Sequence, residues 1–299
     1  MEEFREILGP LLRNSVCMSL LVGLVCPLVG VYLLLRRLVF MGVALPQISS
    51  CGIAFAFALE AWGLFPHSEG SENTLAFAGS SAFTLVAILA FSFIERRGRG
   101  LMEGAIGTIY VLAGAWSILL LVKNPFGEHG LLDRLKGQII AIPDSDLEWT
   151  AASFAAVVLL LFVFRKEFLL VSFDREMAIT LRKNVLLWDS VLFLLIGLTI
   201  SMAVLSVGPL VTFGFLLIPP LIAHLFARNM RQFALAASGV GGFSALAGFY
   251  MAYKWDLPVG PVDVALLGFV YGLVFVGKKT LGALRPKARD AGSPTGVEA

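Results

Sequence analysis

A chain of 299 residues that is 58% hydrophobic and only 15% charged, with a mean hydropathy of +0.86, cannot be a water-soluble domain. Soluble domains carry about a quarter charged residues, and their interiors are too small to hide this much apolar surface, so lipid must be the solvent. A formal net charge of +2 points to no nucleic-acid partner, and none is expected.

The amino terminus, MEEFREILGP, is acidic and amphipathic where a cleaved leader would open basic, so the first apolar stretch is read as retained. Crossing the hydrocarbon core takes about 20 apolar residues wound as a helix, because every backbone amide must be satisfied internally. Nine stretches qualify: Leu11 to Leu35, Phe40 to Trp62, Thr74 to Ile94, Leu101 to Val122, Ala151 to Phe164, Val185 to Leu205, Val207 to Ala227, Phe233 to Tyr253, and Pro258 to Val276. The fifth is short and the seventh carries prolines. The alternative is eight crossings with Val207 to Ala227 as a re-entrant element. The fold class is therefore all-α, a polytopic transmembrane helix bundle over residues 1–278 followed by a polar tail, 279–299, read as disordered. Between the fourth and fifth spans, Lys123 to Trp149 forms the longest loop, with Gly130 to Leu135 and Gln138 to Ile142 too short to cross.

Alternating nine spans puts 17 of the 23 basic residues on one side, including Arg36, Arg37, Arg165, Lys166, Arg182, Lys183, Lys278 and Lys279, and 6 on the other. The positive-inside rule makes the richer side cytoplasmic, with the N-terminus outside and the C-terminus in the cytoplasm.

Ionisable residues within spans are few. Glu60 and Asp263 fall near external ends, and Glu103, Asp189 and His224 near cytoplasmic ends, where snorkelling or capping accounts for them. With no titratable centre at mid-membrane, the driving force is expected to come from another subunit. The second span is the most polar: Gln47, Ser50 and Cys51 stand at i, i+3 and i+4 on one helical face, extended one turn back by Val43. Pro46 frees a carbonyl near Gly42 on the same stretch. That face is either part of a substrate pathway or a set of hydrogen-bonding partners for a neighbouring helix. The seventh span holds Gly208-Pro209 at one end and Pro219-Pro220 at the other, breaks of the kind found at transporter gates and at simple kinks. Small residues at four-residue spacing, Ala237, Gly241 and Ala245 with Ser238 and Gly242, predict close packing in the bundle or at a dimer seam. Cys17, Cys26 and Cys51 lack metal-site spacing and read as buried small hydrophobes, with Cys51 also a possible soft ligand. The segment RKEFLLVSFDREMAITLRKN is too long for a turn. Its middle, Ser172 to Leu181, predicts a short surface helix capped by Ser172 or Asp174, either a docking element for a cytoplasmic partner or an amphipathic helix lying on lipid.

Several fragments, in order from Cys26 to Tyr271, resemble the permease subunits of zinc, manganese and iron ABC importers. CPLVGVYLLLRRLVFMGVALPQISSCGIAFAF is similar to the family's opening, LLVSFDREMAITL to its ATPase-docking loop, VGPLVTFGFLLIPPLIAHLFAR to its proline-containing run, and WDLPVGPVDVALLGFVY to its late Asp-x-Pro-x-Gly-Pro segment. The resemblance implies a homodimeric permease of the inner (plasma) membrane without cofactor, driven by a separate cytoplasmic ABC ATPase and fed by an extracytoplasmic substrate-binding protein. It places ATPase docking at Phe173, Asp174 and Glu176; the substrate pathway at Gln47, Ser50 and Cys51 and gating at Pro46, Pro209, Pro219 and Pro220 rest on the residue reading above. The sequence has no GxxxxGK[ST] phosphate loop, so ATP hydrolysis falls to a partner and the chain is read as a transport subunit, not an enzyme. It departs from the family at Val43 and Gln47, which replace the Asp and His associated with metal passage, and at Leu181, near the place of a family Gly. A divalent cation prefers carboxylate, imidazole or thiolate to valine or an amide, so the usual metal site is not carried over.

Overall fold

The computed structural model describes residues 12–62, 72–95, 99–122 and 142–284. They form eleven helices and, among the described residues, no strand: α1 (Arg13–Leu35), α2 (Val39–Ala61), α3 (Glu72–Glu95), α4 (Arg99–Val122), α5 (Asp144–Val163), α6 (Arg165–Phe173), α7 (Arg175–Thr180), α8 (Val185–Val207), α9 (Pro209–His224), α10 (Met230–Trp255) and α11 (Val259–Leu284). Eight are long and apolar enough to cross a membrane, and α9, at 16 residues, is shorter. The chain is a multi-pass membrane protein.

Contacts between elements fix the ends of the bundle. At one end Asn14 donates to the Ile142 carbonyl at 3.0 Å and to Asp144 at 2.6 Å, and Thr150 meets Ser206 at 3.4 Å. At the other, Arg36 pairs with Asp189. Helix α9 leaves the first end at Pro209, directly after Ser206 and Val207. It finishes at the second, where Ala223 packs with Val31 and Phe233. It therefore runs from one end of the bundle to the other in 16 residues, about 24 Å of helix. The path favours a ninth traverse over a re-entrant hairpin.

Two expected boundaries change. The fifth span begins at Asp144 instead of Ala151, so Trp149 and the residues before it are helix, not loop. Asp144 and Asp146 suit the positive end of the helix dipole, and Asn14 satisfies the former. The pieces 130–135 and most of 138–142, together with the tail beyond 284, lie outside the described residues. The seventh span is not broken by Pro219-Pro220, which are buried within a continuous α9. The break is at Gly208, whose φ of 83° suits glycine, and Pro209 opens the next helix at its first position.

Arg37 (φ 59°) and Arg182 (φ 54°) are left-handed residues that close α1 and α7. In each case the next amide reaches back to the last turn, Leu38 to Leu33 at 2.9 Å and Lys183 to Ala178 at 3.0 Å, the Schellman arrangement. The conformation that glycine usually supplies after such a helix is thus supplied here by Arg182, next to Leu181.

The central helices are held by backbone contact. Pro27 and Pro220 cannot donate to the carbonyls four residues back, Gly23 and Leu216. Each freed carbonyl faces a glycine of a neighbouring helix: Gly23 O lies against Gly241 of α10, and Leu216 O against Gly30 of α1. Only a bare Cα allows that approach, and Cα–H···O contacts compensate part of the lost hydrogen bond. Gly52 and Gly79 face each other's carbonyls in the same way between α2 and α3. The small-residue stripe of α10 is therefore occupied within the chain: Ala237, Gly241 and Ala245 are buried, and Ser238 donates to the Leu24 carbonyl at 2.8 Å.

Candidate functional site

Helix α2 carries Gln47, Ser50 and Cys51 on one face, as their spacing requires, and that face meets α4. Gln47 is half-buried against Gly114, where an added Cβ would stand 3.3 Å from its Nε2. One turn on, Ser50 and Ser117 hydroxyls meet at 3.2 Å. Cys51 is a buried free thiol, and Val43 is half-buried one turn before Gln47. Small residues on α4, Gly114 and Ser117, admit the polar side chains of α2. Ser50 thus takes the interhelical partner that the sequence left as one of two readings, while Gln47 keeps partial exposure in the seam.

Pro46 is buried inside an unbroken α2, and Gly42, whose carbonyl it frees, packs against Leu216 and Leu33. On the opposite side of α2, Ser49 and Ser80 hydroxyls meet at 2.6 Å, Thr84 donates to the Ser80 carbonyl at 2.7 Å, and Ser201 donates to Thr84 at 3.3 Å. This hydroxyl chain joins α2, α3 and α8 and was not singled out from the sequence, where serines in apolar runs give no partner. Among the described residues, no group of three or more His, Cys, Asp or Glu could hold a metal ion.

Asp263 corrects the expectation of a peripheral acid. It is fully buried, its Oδ2 3.5 Å from the Ser19 hydroxyl and its Oδ1 pressed on Gly248 without a hydrogen-bond donor. A position near the end of a span looked exposed in one dimension, but the facing helices α1 and α10 present only Ser19 and a glycine.

At the opposite end lies the segment expected to dock a partner. It is two helices, not one. Ser172 falls in the last turn of α6, and Asp174 is the cap of α7, accepting from the Met177 amide at 2.8 Å. Ala178 is buried with Val171 and Val185, which seats α7 on the start of α8. Around it the exposed side chains are Phe173 at 62% and Met177 at 52%, with Ile179 and Leu181 also exposed and Glu176 beside them. Asp174, Glu176 and Phe173 thus sit together as expected. Met177 and Ile179 join them as exposed apolar side chains.

The segment is anchored by Arg36, the C-cap of α1. Its guanidinium contacts Asp189 at 2.7 Å, donates through Nε to Ser172 at 3.0 Å, and lies over the Phe193 ring at 5.3 Å. Tyr32, Phe164, Phe168 and Trp188 pack edge-on or tilted nearby. Both charged side chains are near-buried, 10% and 13% exposed, and breaking such a buried pair by removing one member costs about 3–5 kcal/mol.

The chain is similar over most of its length to known membrane proteins. It is 26% identical over 279 residues to the manganese transport system membrane protein MntC of Listeria monocytogenes, covering 93% of this chain and 95% of that one. It is 29% identical over 269 residues to the Synechocystis membrane protein slr2045, covering 88% and 90%. Among solved structures, PsaBC from Streptococcus pneumoniae in complex with Fab superposes with a TM-score of 0.78 at 26% identity, covering 92% of this chain and 94% of that one. The family model for the ABC 3 transport family matches residues 9–278, the whole of the helical bundle up to the end of its last span, and the chain belongs to that family.

Proposed function

We propose that the chain is the membrane-spanning permease of an ABC importer for a divalent metal ion or its chelate. Two copies form the central path, a separate cytoplasmic ATPase supplies the energy, and an extracytoplasmic binding protein delivers the cargo. The observation that carries this reading is the docking segment, exposed apolar and acidic side chains on a short helix held rigidly at the Arg36 end of the bundle. The basic residues concentrated at that end support its placement on the cytoplasmic side of the inner (plasma) membrane, with the N-terminus outside. Residues 1–278 then form the permease domain and 279–299 a cytoplasmic tail, whose first residues, 279–284, are not disordered as expected but continue α11. Metal as cargo is supported by family membership and by the manganese system named for the Listeria relative.

An affinity-tagged chain is expected to co-purify with an ABC ATPase, and deleting residues 172–181 to abolish that association while the bundle still folds. Association that survives the deletion would remove the docking assignment.

On α2, an amide and a thiol stand where a hard cation would prefer carboxylates, so the cargo passes either as a loosely held ion or as a chelate needing no protein ligand. In cells carrying Gln47→Ala with Cys51→Ala, metal accumulation should fall if the ion is held directly. Unchanged accumulation would argue against a direct ligand role for this face. Pro46, Pro209, Pro219 and Pro220 act in this reading on gating through the shape of α2 and α9, Pro209 by opening α9 and the others by removing backbone hydrogen bonds inside the two helices.

A further inference from the structure

We infer that Arg36 is a positioning residue for transport, the link through which movement of the docking segment reaches the polar face of α2. The inference rests on the docking reading above.

Arg36, at the end of α1, holds two further helices by three different interactions: the 2.7 Å ion pair to Asp189 in the second turn of α8, the 3.0 Å hydrogen bond to Ser172 in the last turn of α6, and the stack on Phe193, also in α8. Ser172 stands two residues before Asp174, the cap of the helix that carries the exposed docking side chains. On its other side, Arg36 begins the corner between α1 and α2: Arg36 caps α1, Arg37 takes the left-handed turn, and α2 starts at Val39. Val43 and Gln47 follow one and two turns along α2. A displacement of the docking segment therefore acts first on Ser172, then on the guanidinium, then on the corner from which α2 springs.

Arginine is the side chain this arrangement needs. Its planar fork reaches a carboxylate and a hydroxyl at once while its face stacks on a ring, and lysine offers one point charge instead. A purely static joint between three helices would be at least as stable if made of apolar side chains, since buried ion pairs return little net stability. The guanidinium also keeps one buried donor, Nη2, without an acceptor among the described residues. That is a charged fork only partly satisfied in this arrangement, as expected of a contact that is remade in another.

The test uses the full transporter, this chain with its ATPase. Hydrogen exchange of residues 36–47 is followed with and without nucleotide, alongside ATP hydrolysis and uptake of radiolabelled manganese(II). The unmodified complex should change its exchange in that segment when nucleotide binds. Ser172→Ala removes only the bond to the docking segment and spares the ion pair, and Arg36→Lys keeps the charge without the fork. Each should abolish the nucleotide-dependent change while assembly and hydrolysis persist, and should lower uptake per ATP hydrolysed about tenfold, the loss of one charge-assisted hydrogen bond. A change in exchange that survives both variants, or a fall in uptake that only tracks the amount of assembled complex, would overturn the inference. Failure of any ATPase to assemble on the unmodified chain would instead bring down the docking reading, and the inference with it.

Discussion

Replacing Gly30 with alanine should leave little folded protein. The added methyl would be driven into the Leu216 carbonyl, with the carbonyl carbon at 2.8 Å and Pro220 Cγ at 3.0 Å. Neither neighbour is the far end of a flexible side chain, so relief requires moving α1 away from α9. Overpacking of a well-filled interior costs about 1–3 kcal/mol where side chains can adjust, and a backbone collision should exceed that. For a chain of this size about 4 kcal/mol corresponds to a fall of roughly 6 °C in Tm. Gly268→Ala supplies the comparison, because an added Cβ there has no neighbour within 4 Å. A thermal-shift measurement on detergent-solubilised protein that places the two variants together would show that α1 and α9 are less tightly joined than described.

The second large effect concerns Phe173 and Met177. Both are more than half exposed, so truncating them should leave the thermal midpoint of the isolated chain unchanged. In complex with the ATPase they are expected to be buried, and central apolar anchors of an interface contribute about 2 kcal/mol or more each. Phe173→Ala with Met177→Ala should therefore weaken ATPase binding by at least about a hundredfold and abolish uptake. Titration of the labelled ATPase onto the reconstituted chain measures this directly. Unaltered affinity would move the docking surface elsewhere.

Most of the bundle was legible in the amino-acid sequence because hydrocarbon imposes a coarse rule, long apolar runs, that needs no partner to be read. The exceptions have local causes. The opening turn of α5, DSDLEW, is too polar for a hydropathy window, yet it is helical because its acids sit at the positive end of the helix and Asn14 takes one of them. The shared face of Gln47, Ser50 and Cys51 follows from helical period alone. That Gly114 and Ser117 stand opposite does not, since no periodicity says which helix a face will meet. Asp263 was misread for the same reason: depth along a span can be counted, but burial depends on Gly248 and Ser19, 15 and 244 residues away in the chain. Asp174 as a cap was legible, because a short acceptor before a helix has a local partner. Arg36 was legible only as a positive charge at a helix end, and its partners Ser172 and Asp189 come from two later elements.

The proline-freed carbonyls seated on Gly30 and Gly241 bear on how the molecule can move. Side chains can slide past one another by changing rotamer more readily than two backbones in contact, so α1, α9 and α10 are expected to travel as one block. Any cycle of opening and closing is then left to the remaining helices swinging about it. The corner from Arg36 to Leu38 is the pivot nearest the bundle's axle.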